Sequence, residues 1–249
     1  MRLEGKVAIV TGASTGMGKA IAIEFVKEGA KVAVVARRPD KLKEVVLEIE
    51  KIGGEGVAIT ADVSNLPDVD RIVNETVRTL GRLDILVNCA GVMTNADLAH
   101  HTEKIWDDTI DINLKGSFFC IQKAVPEMLK QGKGKIINIA SICGEIGLAN
   151  SSAYCASKAG MTGLTKALAV ELAPQKINVN SINPGYIETS LNEHFLRVPE
   201  IRRAVIESTP YRRIGKVSDV APAAVYLASD ESDFVNGAAL FVDGGWVSV

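Results

Sequence analysis

Seven short aliphatic runs recur along the chain, at residues 6–11 (KVAIVT), 31–36 (KVAVVA), 56–60, 84–87, 135–140 (KIINIA), 177–182 (INVNSI) and 238–242 (AALFV). They are largely continuous apolar runs, not polar/apolar alternations, which is the pattern of parallel strands covered on both faces. Between them lie segments of helical period with recognisable ends. Residues 17–28 stop at Gly29, residues 41–52 stop at Gly53-Gly54, and residues 67–80 carry Pro67 near their start and Gly81 at their close. Strand and helix alternating at this spacing call for right-handed crossovers. The expected fold is α/β: a Rossmann-like, doubly wound parallel sheet of about seven strands with helices on both faces. No linker or low-complexity stretch interrupts the pattern, so residues 1–249 read as a single domain. Residues 186–216 lack a clear strand and read as two short helices inserted before the last βα pieces.

A chain of 249 residues, 47% apolar and 23% charged, is long enough to bury a sizeable core without staples. The net charge of −2 provides no broad basic field for nucleic acid or an anionic membrane. No apolar run approaches the roughly 20 residues that span a bilayer. The amino end passes directly into a strand pattern with no export segment, so a cytoplasmic location is expected. Cys89, Cys120, Cys143 and Cys155 are scattered, with no CxxC pair and no His cluster. That argues against a disulfide framework or a metal site and fits a reducing compartment.

The first run leads into Thr11-Gly12-Ala13-Ser14-Thr15-Gly16-Met17-Gly18, and a helix follows. Such a turn needs glycine for left-handed angles, for close approach to a pyrophosphate and for tight helix-on-strand contact. The helix start then offers free N–H groups and a positive dipole to phosphate. The spacing is G-x3-G-x-G. A nucleoside-triphosphate loop does not fit, because Ala20 follows Gly18-Lys19 where a hydroxyl residue is required. At the end of the second run, Ala36-Arg37-Arg38 has no acid to hold a ribose 2′-OH before Asp40. Arginines there suit a 2′-phosphate. NADP(H) is therefore favoured, with NAD(H) possible; the plainer reading of Arg37 and Arg38 is a solvated basic loop.

Tyr154 and Lys158 fall four residues apart, on one face of a helix. A phenol is a poor base at neutral pH, but a nearby ammonium and a positively charged nicotinamide ring would favour phenolate. Ser141 follows the strand at 135–140, at the carboxyl end where ligands bind in doubly wound sheets. Its hydroxyl can donate to a carbonyl oxygen or developing alkoxide.

Taken together, these residues resemble the short-chain dehydrogenase/reductase family along the whole chain. The resemblance rests on the glycine turn, Asp62-Val63, Asn88-Cys89-Ala90-Gly91, Asn113, Ser141, Tyr154-x3-Lys158, Pro184-Gly185 and Asp243-Gly244-Gly245. It implies an oxidoreductase that moves a hydride between nicotinamide C4 and a carbonyl or secondary alcohol. It implies Tyr154 as general acid/base, Ser141 as the residue orienting the substrate oxygen, and Lys158 as holder of the nicotinamide ribose that lowers the Tyr pKa. Asn113 would anchor a water linking Lys158 to solvent. Gly12, Ser14, Thr15, Gly16, Met17 and Gly18 would cradle the phosphates, and Asp62 and Val63 would contact adenine. Asn88, Ala90 and Gly91 would pack along the cofactor, while Ile187 and Thr189, just past Pro184-Gly185, would meet the nicotinamide amide. A homotetramer is implied as well. Two positions depart from the family pattern, Cys89 for a common Asn and Asn178 for a common Arg, and both read as structural.

The substrate is expected to be a sugar, a sugar acid or another small polar ketone, on the resemblance of the 208–215 and 235–246 segments to sugar-acid dehydrogenases; Glu145 would suit a hydroxyl-rich molecule. The rivals are a 3-oxoacyl-[acyl-carrier-protein] reductase, for which Lys130, Lys133 and Lys176 are candidate docking cations, and a broad carbonyl reductase. A non-catalytic NADP-binding sensor is the alternative of a different class. His100-His101 reads as a solvated loop, and His194 as surface decoration within reach of a substrate.

Overall fold

The computed structural model describes residues 1–248. Seven strands form one sheet: β1 (Val7–Thr11), β2 (Lys31–Ala36), β3 (Gly56–Thr60), β4 (Ile85–Asn88), β5 (Gly134–Ile139), β6 (Ile177–Pro184) and β7 (Ala239–Val242). Their spatial order is β3-β2-β1-β4-β5-β6-β7, and every pairing is parallel. Among the described residues nine α-helices accompany them: α1 (Gly16–Lys27), α2 (Pro39–Lys51), α3 (Leu66–Leu80), α4 (Glu103–Ile110), α5 (Gly116–Gln131), α6 (Ser152–Leu172), α7 (Glu193–Leu196), α8 (Pro199–Ser208) and α9 (Val217–Ala228).

The helix ends follow from local chemistry. Asn65 caps α3 by accepting from the Asp68 N–H, a contact worth about 1 kcal/mol. Gly81 and Gly132 close α3 and α5 at φ of 88° and 72°, which a Cβ would oppose. Between α4 and α5 the backbone widens into one turn of π-helix over Asp111–Lys115, and Asn113 sits in it.

The sheet is covered on both faces. Phe25, Ile21, Leu42, Ile49 and Val225 from α1, α2 and α9 fill one layer. Ile72, Leu80, Ile121, Met128 and Leu168 from α3, α5 and α6 fill the other. The segment 186–216 does form two short helices, α7 and α8. They pack a separate small core of Leu196, Val205 and Ile214 against Tyr186, Phe195 and Trp246. None of the helices is long and apolar enough to cross a membrane, among the described residues.

This topology decides where a ligand can lie. Chain order reverses between β1 and β4, so the connections leaving these neighbours part to opposite faces and open a crevice at their carboxyl ends. Thr11 holds the two loops there together: its hydroxyl accepts from the N–H groups of Cys89 and Ala90 at 3.0 and 3.1 Å and donates to the Val87 carbonyl.

Candidate active site

A cleft of about 370 Å³ occupies this crevice. Gly12, Ser14, Thr15, Gly16, Met17, Gly18, Arg37, Arg38, Asp62, Val63, Ala90, Gly91 and Thr189 all line it. The backbone comes so close that side chains would not fit. A Cβ on Gly12, whose φ is +67°, would lie 2.8 Å from the Ala90 backbone, and one on Gly18 would lie 2.5 Å from the Gly12 carbonyl oxygen. Thr15, at the N-cap of α1, makes no side-chain cap bond, and the first turn holds no acid. The positive end of the twelve-residue helix is thus left to a ligand, which fits a pyrophosphate.

The two arginines differ. Arg38 reaches back over the glycine turn, donating to the hydroxyls of Ser14 and Thr15 at 3.1 and 3.3 Å. Arg37 turns towards Asp62, 3.7 Å away, and remains largely exposed. Asn88 stands off the cleft: it is buried, and its amide donates to Asn138, which in turn donates to Thr165 of α6. Cys89 lines the cleft in its place. Burial holds its thiol up to about 11 against a weaker pull from the Lys158 charge, so the Asn-to-Cys departure reaches the site. Asn178 is structural, accepting from Lys135 and donating to two carbonyls of the loop before β7.

Deeper in, β5 delivers Ser141 and α6 delivers Tyr154 and Lys158 to one point. The buried Lys158 ammonium donates to the Ile139 carbonyl at 2.7 Å and lies 5.6 Å from the centroid of the Tyr154 ring. A Cβ on Gly91 would be 3.8 Å from it, so Lys158 looks onto the cofactor cleft as well. Asn113 is fully buried. It accepts from the Val92 N–H at 2.8 Å and donates to the Val92 carbonyl and the Ser157 hydroxyl. Both amide hydrogens are thereby committed to fixing the loop after β4 and the turn of α6 that carries Lys158.

Burial lowers the Lys158 pKa to about 8, against a weaker opposing pull from Cys89 and Cys143. The half-buried Tyr154 phenol is pushed well above its ordinary value, mainly by desolvation; the Ser141 hydroxyl opposes this and the thiols of Cys143, Cys155 and Cys89 add to it. Within the protein alone, desolvation is the dominant influence on the phenol. Lys158 also links stability to pH. Its pKa is lower folded than unfolded, so between about 8 and 10.5 the unfolded chain binds more protons and stability rises with pH. Denaturant titrations of wild type and Lys158→Met should show the variant's relative stability falling as pH rises through this window; parallel curves would mean that Lys158 is not a buried cation.

A second cavity, about 100 Å³, adjoins Tyr154 and shares Met17, Thr189 and Leu191 with the cofactor cleft. Ser141, Tyr154, Pro184, Gly185, Ile187 and Thr189 line it together with Met17, Met93, Ile142, Cys143, Leu148, Leu191 and Phe195. Asn95, Tyr186, Asn192 and His194 supply the other polar groups, and among the described residues no Lys, Arg, Asp or Glu takes part. His194, expected as surface decoration, stands on this wall. Glu145 is exposed and outside it. Lys133 and Lys176 precede β5 and β6, at the opposite ends of the strands from Ser141, and Lys130 is paired with Glu127 near the close of α5. None of the three reaches the cleft. His100 is solvated and bound to Asp97, but both ring nitrogens of His101 are buried beside Trp106 without a partner. Met93, Asn95, Leu148, Asn192 and Phe195 carried no signal in the sequence, since they sit in loops and a short helix without a motif.

Residues 12–247 match a family model described as enoyl-(acyl carrier protein) reductase. A 3-oxoacyl-[acyl-carrier-protein] reductase of Thermotoga maritima is 41% identical, over 99% of this chain and 100% of its own length. Among solved structures, a short-chain type dehydrogenase/reductase from Mycobacterium marinum is 37% identical with a TM-score of 0.95, covering 99% of this chain and 97% of its own. A gluconate 5-dehydrogenase from Burkholderia cenocepacia, in complex with NADP and tartrate, is 33% identical with a TM-score of 0.96, covering 100% and 97%.

Proposed function

The chain belongs to the short-chain dehydrogenase/reductase family and is an oxidoreductase, and from that premise we propose that it interconverts a ketone and a secondary alcohol with NADP(H), using Tyr154 as general acid/base. The observation that carries this reading is the convergence of Ser141, Tyr154 and Lys158 where the cofactor cleft meets the smaller cavity. The nicotinamide cofactor, when bound, supplies or accepts the hydride.

The chain's own residues handle the oxygen and its proton. In reduction, the hydroxyls of Ser141 and Tyr154 donate to the substrate carbonyl oxygen, which orients the carbonyl and stabilises negative charge as it develops. A phenol with a raised pKa is protonated at neutral pH, so Tyr154 is charged with the proton that the new alkoxide needs. Lys158, with a pKa near 8, is a proton carrier matched to neutral pH and sits against the same ring. Asn113 acts as a positioning residue, tying the loop after β4 to the turn of α6 that bears Lys158. For the cofactor, Gly12 to Gly18 and the start of α1 would hold the pyrophosphate, Asp62 and Val63 the adenine, and Arg38 a 2′-phosphate.

The cavity walls support an uncharged carbonyl compound with an apolar flank, such as a small ketone or a 3-oxoacyl thioester. A sugar acid would find no fixed cation there, and its hydroxyl groups would face Met17, Met93, Leu148 and Phe195. His194, Asn95 and Asn192 favour the sugar-acid reading as the second choice, His194 being the one lining side chain able to carry positive charge. Initial rates with NADPH and NADH over a panel of neutral ketones, an acetoacetyl thioester and keto-sugar acids test this. Neutral substrates are expected to exceed keto acids in kcat/KM by about tenfold or more, the cost of burying an unpaired carboxylate. A preference for the sugar acids would overturn the substrate class, and inactivity with every carbonyl would overturn the function.

A further inference from the structure

Three thiols, those of Cys89, Cys143 and Cys155, act electrostatically on the Tyr154 phenol, and the proposed chemistry uses none of them. Two belong together. Cys143 lies in the single 3-10 turn Ile142–Gly144 that follows β5, and it fronts the smaller cavity beside Ser141 and Tyr154. Cys155 follows Tyr154 on α6 and is half-buried, with access to solvent. The turn is seated on α6: a Cβ on Gly144 would fall 3.0 Å from the Lys158 carbonyl oxygen and 3.1 Å from the Thr162 hydroxyl. Cys155 lies one helical turn before Lys158, on the stretch of α6 that the turn covers. There its side chain is near enough to oppose ionisation of the Cys143 thiol.

We propose that Cys143 and Cys155 are an oxidisable dithiol, which a hydroperoxide converts to a reversible disulfide that switches the adjoining site off. The chemistry at sulfur is independent of the proposed function, but its consequence for turnover rests on that reading. Burial holds the thiol of Cys143 up to about 11, so the more open Cys155 reacts first. Its thiolate attacks the peroxide; an S–O bond forms, the O–O bond breaks, and the leaving oxygen takes a proton to become an alcohol or water. The Cys143 sulfur then attacks the Cys155 sulfur; the S–S bond forms, the S–O bond breaks, and hydroxide departs as water with the Cys143 proton. Two thiols have lost two electrons and the peroxide has gained them. Cys120 and Cys89 are held up to about 12 and about 11 by burial, which makes them poor competitors.

The switch acts through Ser141. Its hydroxyl accepts from the Cys143 N–H at 3.1 Å, so a bond drawing Cys143 towards α6 shifts the hydroxyl that would hold the substrate oxygen. Displacement of a reacting group by about 1 Å costs on the order of 10²-fold in rate. The full-length protein, freed of reductant and treated with hydrogen peroxide, should lose turnover about tenfold or more and regain it with dithiothreitol. Both cysteines lie in one tryptic peptide, residues 136–158, which should lose the mass of two hydrogens in step with the activity. Cys155→Ala and Cys143→Ala, each measured against its own untreated rate, should resist the treatment. The proposal fails if the peptide keeps its mass, if the disulfide forms without loss of turnover, or if Cys155→Ala is inactivated as fast as wild type. Should the untreated protein turn over no carbonyl at all, the functional reading falls, while the peptide mass still decides whether the disulfide forms.

Discussion

Replacing Tyr154 with Phe is expected to lower kcat by about 10²–10⁴-fold, the usual span for loss of a positioned general acid. The substitution removes one oxygen and keeps the ring that packs beside Lys158. Cofactor affinity, measured by protein fluorescence titration, should stay within about twofold, because the glycine turn, the start of α1 and Arg38 are untouched (a twofold change is only about 0.4 kcal/mol). The raised phenol pKa gives the effect a direction in pH. Reduction uses the protonated form, which dominates at neutral pH, whereas oxidation needs phenolate and should accelerate as pH rises. Turnover that survived the change intact would remove Tyr154 from the chemistry. A non-catalytic sensor of NADP is separated by the same experiment, since it would bind cofactor equally well before and after and turn over nothing in either form.

Arg38→Ala is expected to raise the KM for NADPH by about 10–100-fold and to leave the KM for NADH within about twofold. Hydrogen bonds to a charged group contribute about 1.5–3 kcal/mol, and each 1.4 kcal/mol is tenfold. Arg38 is the sharper choice because it lies across Ser14 and Thr15, on the lip of the cleft where a 2′-phosphate would enter. Arg37→Ala should have a smaller effect, since that side chain is 62% exposed and already turned to Asp62. Equal losses with both coenzymes would show that Arg38 supports the loop without reading the phosphate.

Much of this site was legible before any coordinates. The glycine turn had to follow β1, because three glycines at that spacing serve no helix or strand, and a Cβ at Gly12 or Gly18 would meet backbone. Ser141 and the Tyr154–Lys158 pair were readable because a strand end and a helical face are local geometry. The pairing of Asn88 with Asn138 across the sheet was hidden, since the two are fifty residues apart and cannot be linked from the run. The role of Arg38 as distinct from Arg37 was equally hidden, because it depends on which guanidinium folds back over Ser14.

The periodic pattern of aliphatic runs and helical segments by itself determined the doubly wound sheet, since burial on both faces leaves a strand no polar alternation and each crossover one hand. The residue types at the cofactor turn and at Tyr154 determined the class of chemistry. Only the tertiary structure decided the charges on that chemistry: burial, a collective property of every neighbour, sets the Lys158 pKa near 8 and drives the Tyr154 phenol upward. Only it, too, decided the character of the substrate wall. Met93, Leu148, Leu191 and Phe195 come from separate loops and short helices whose convergence no local pattern encodes, and they leave Lys130, Lys133 and Lys176 away from the cleft.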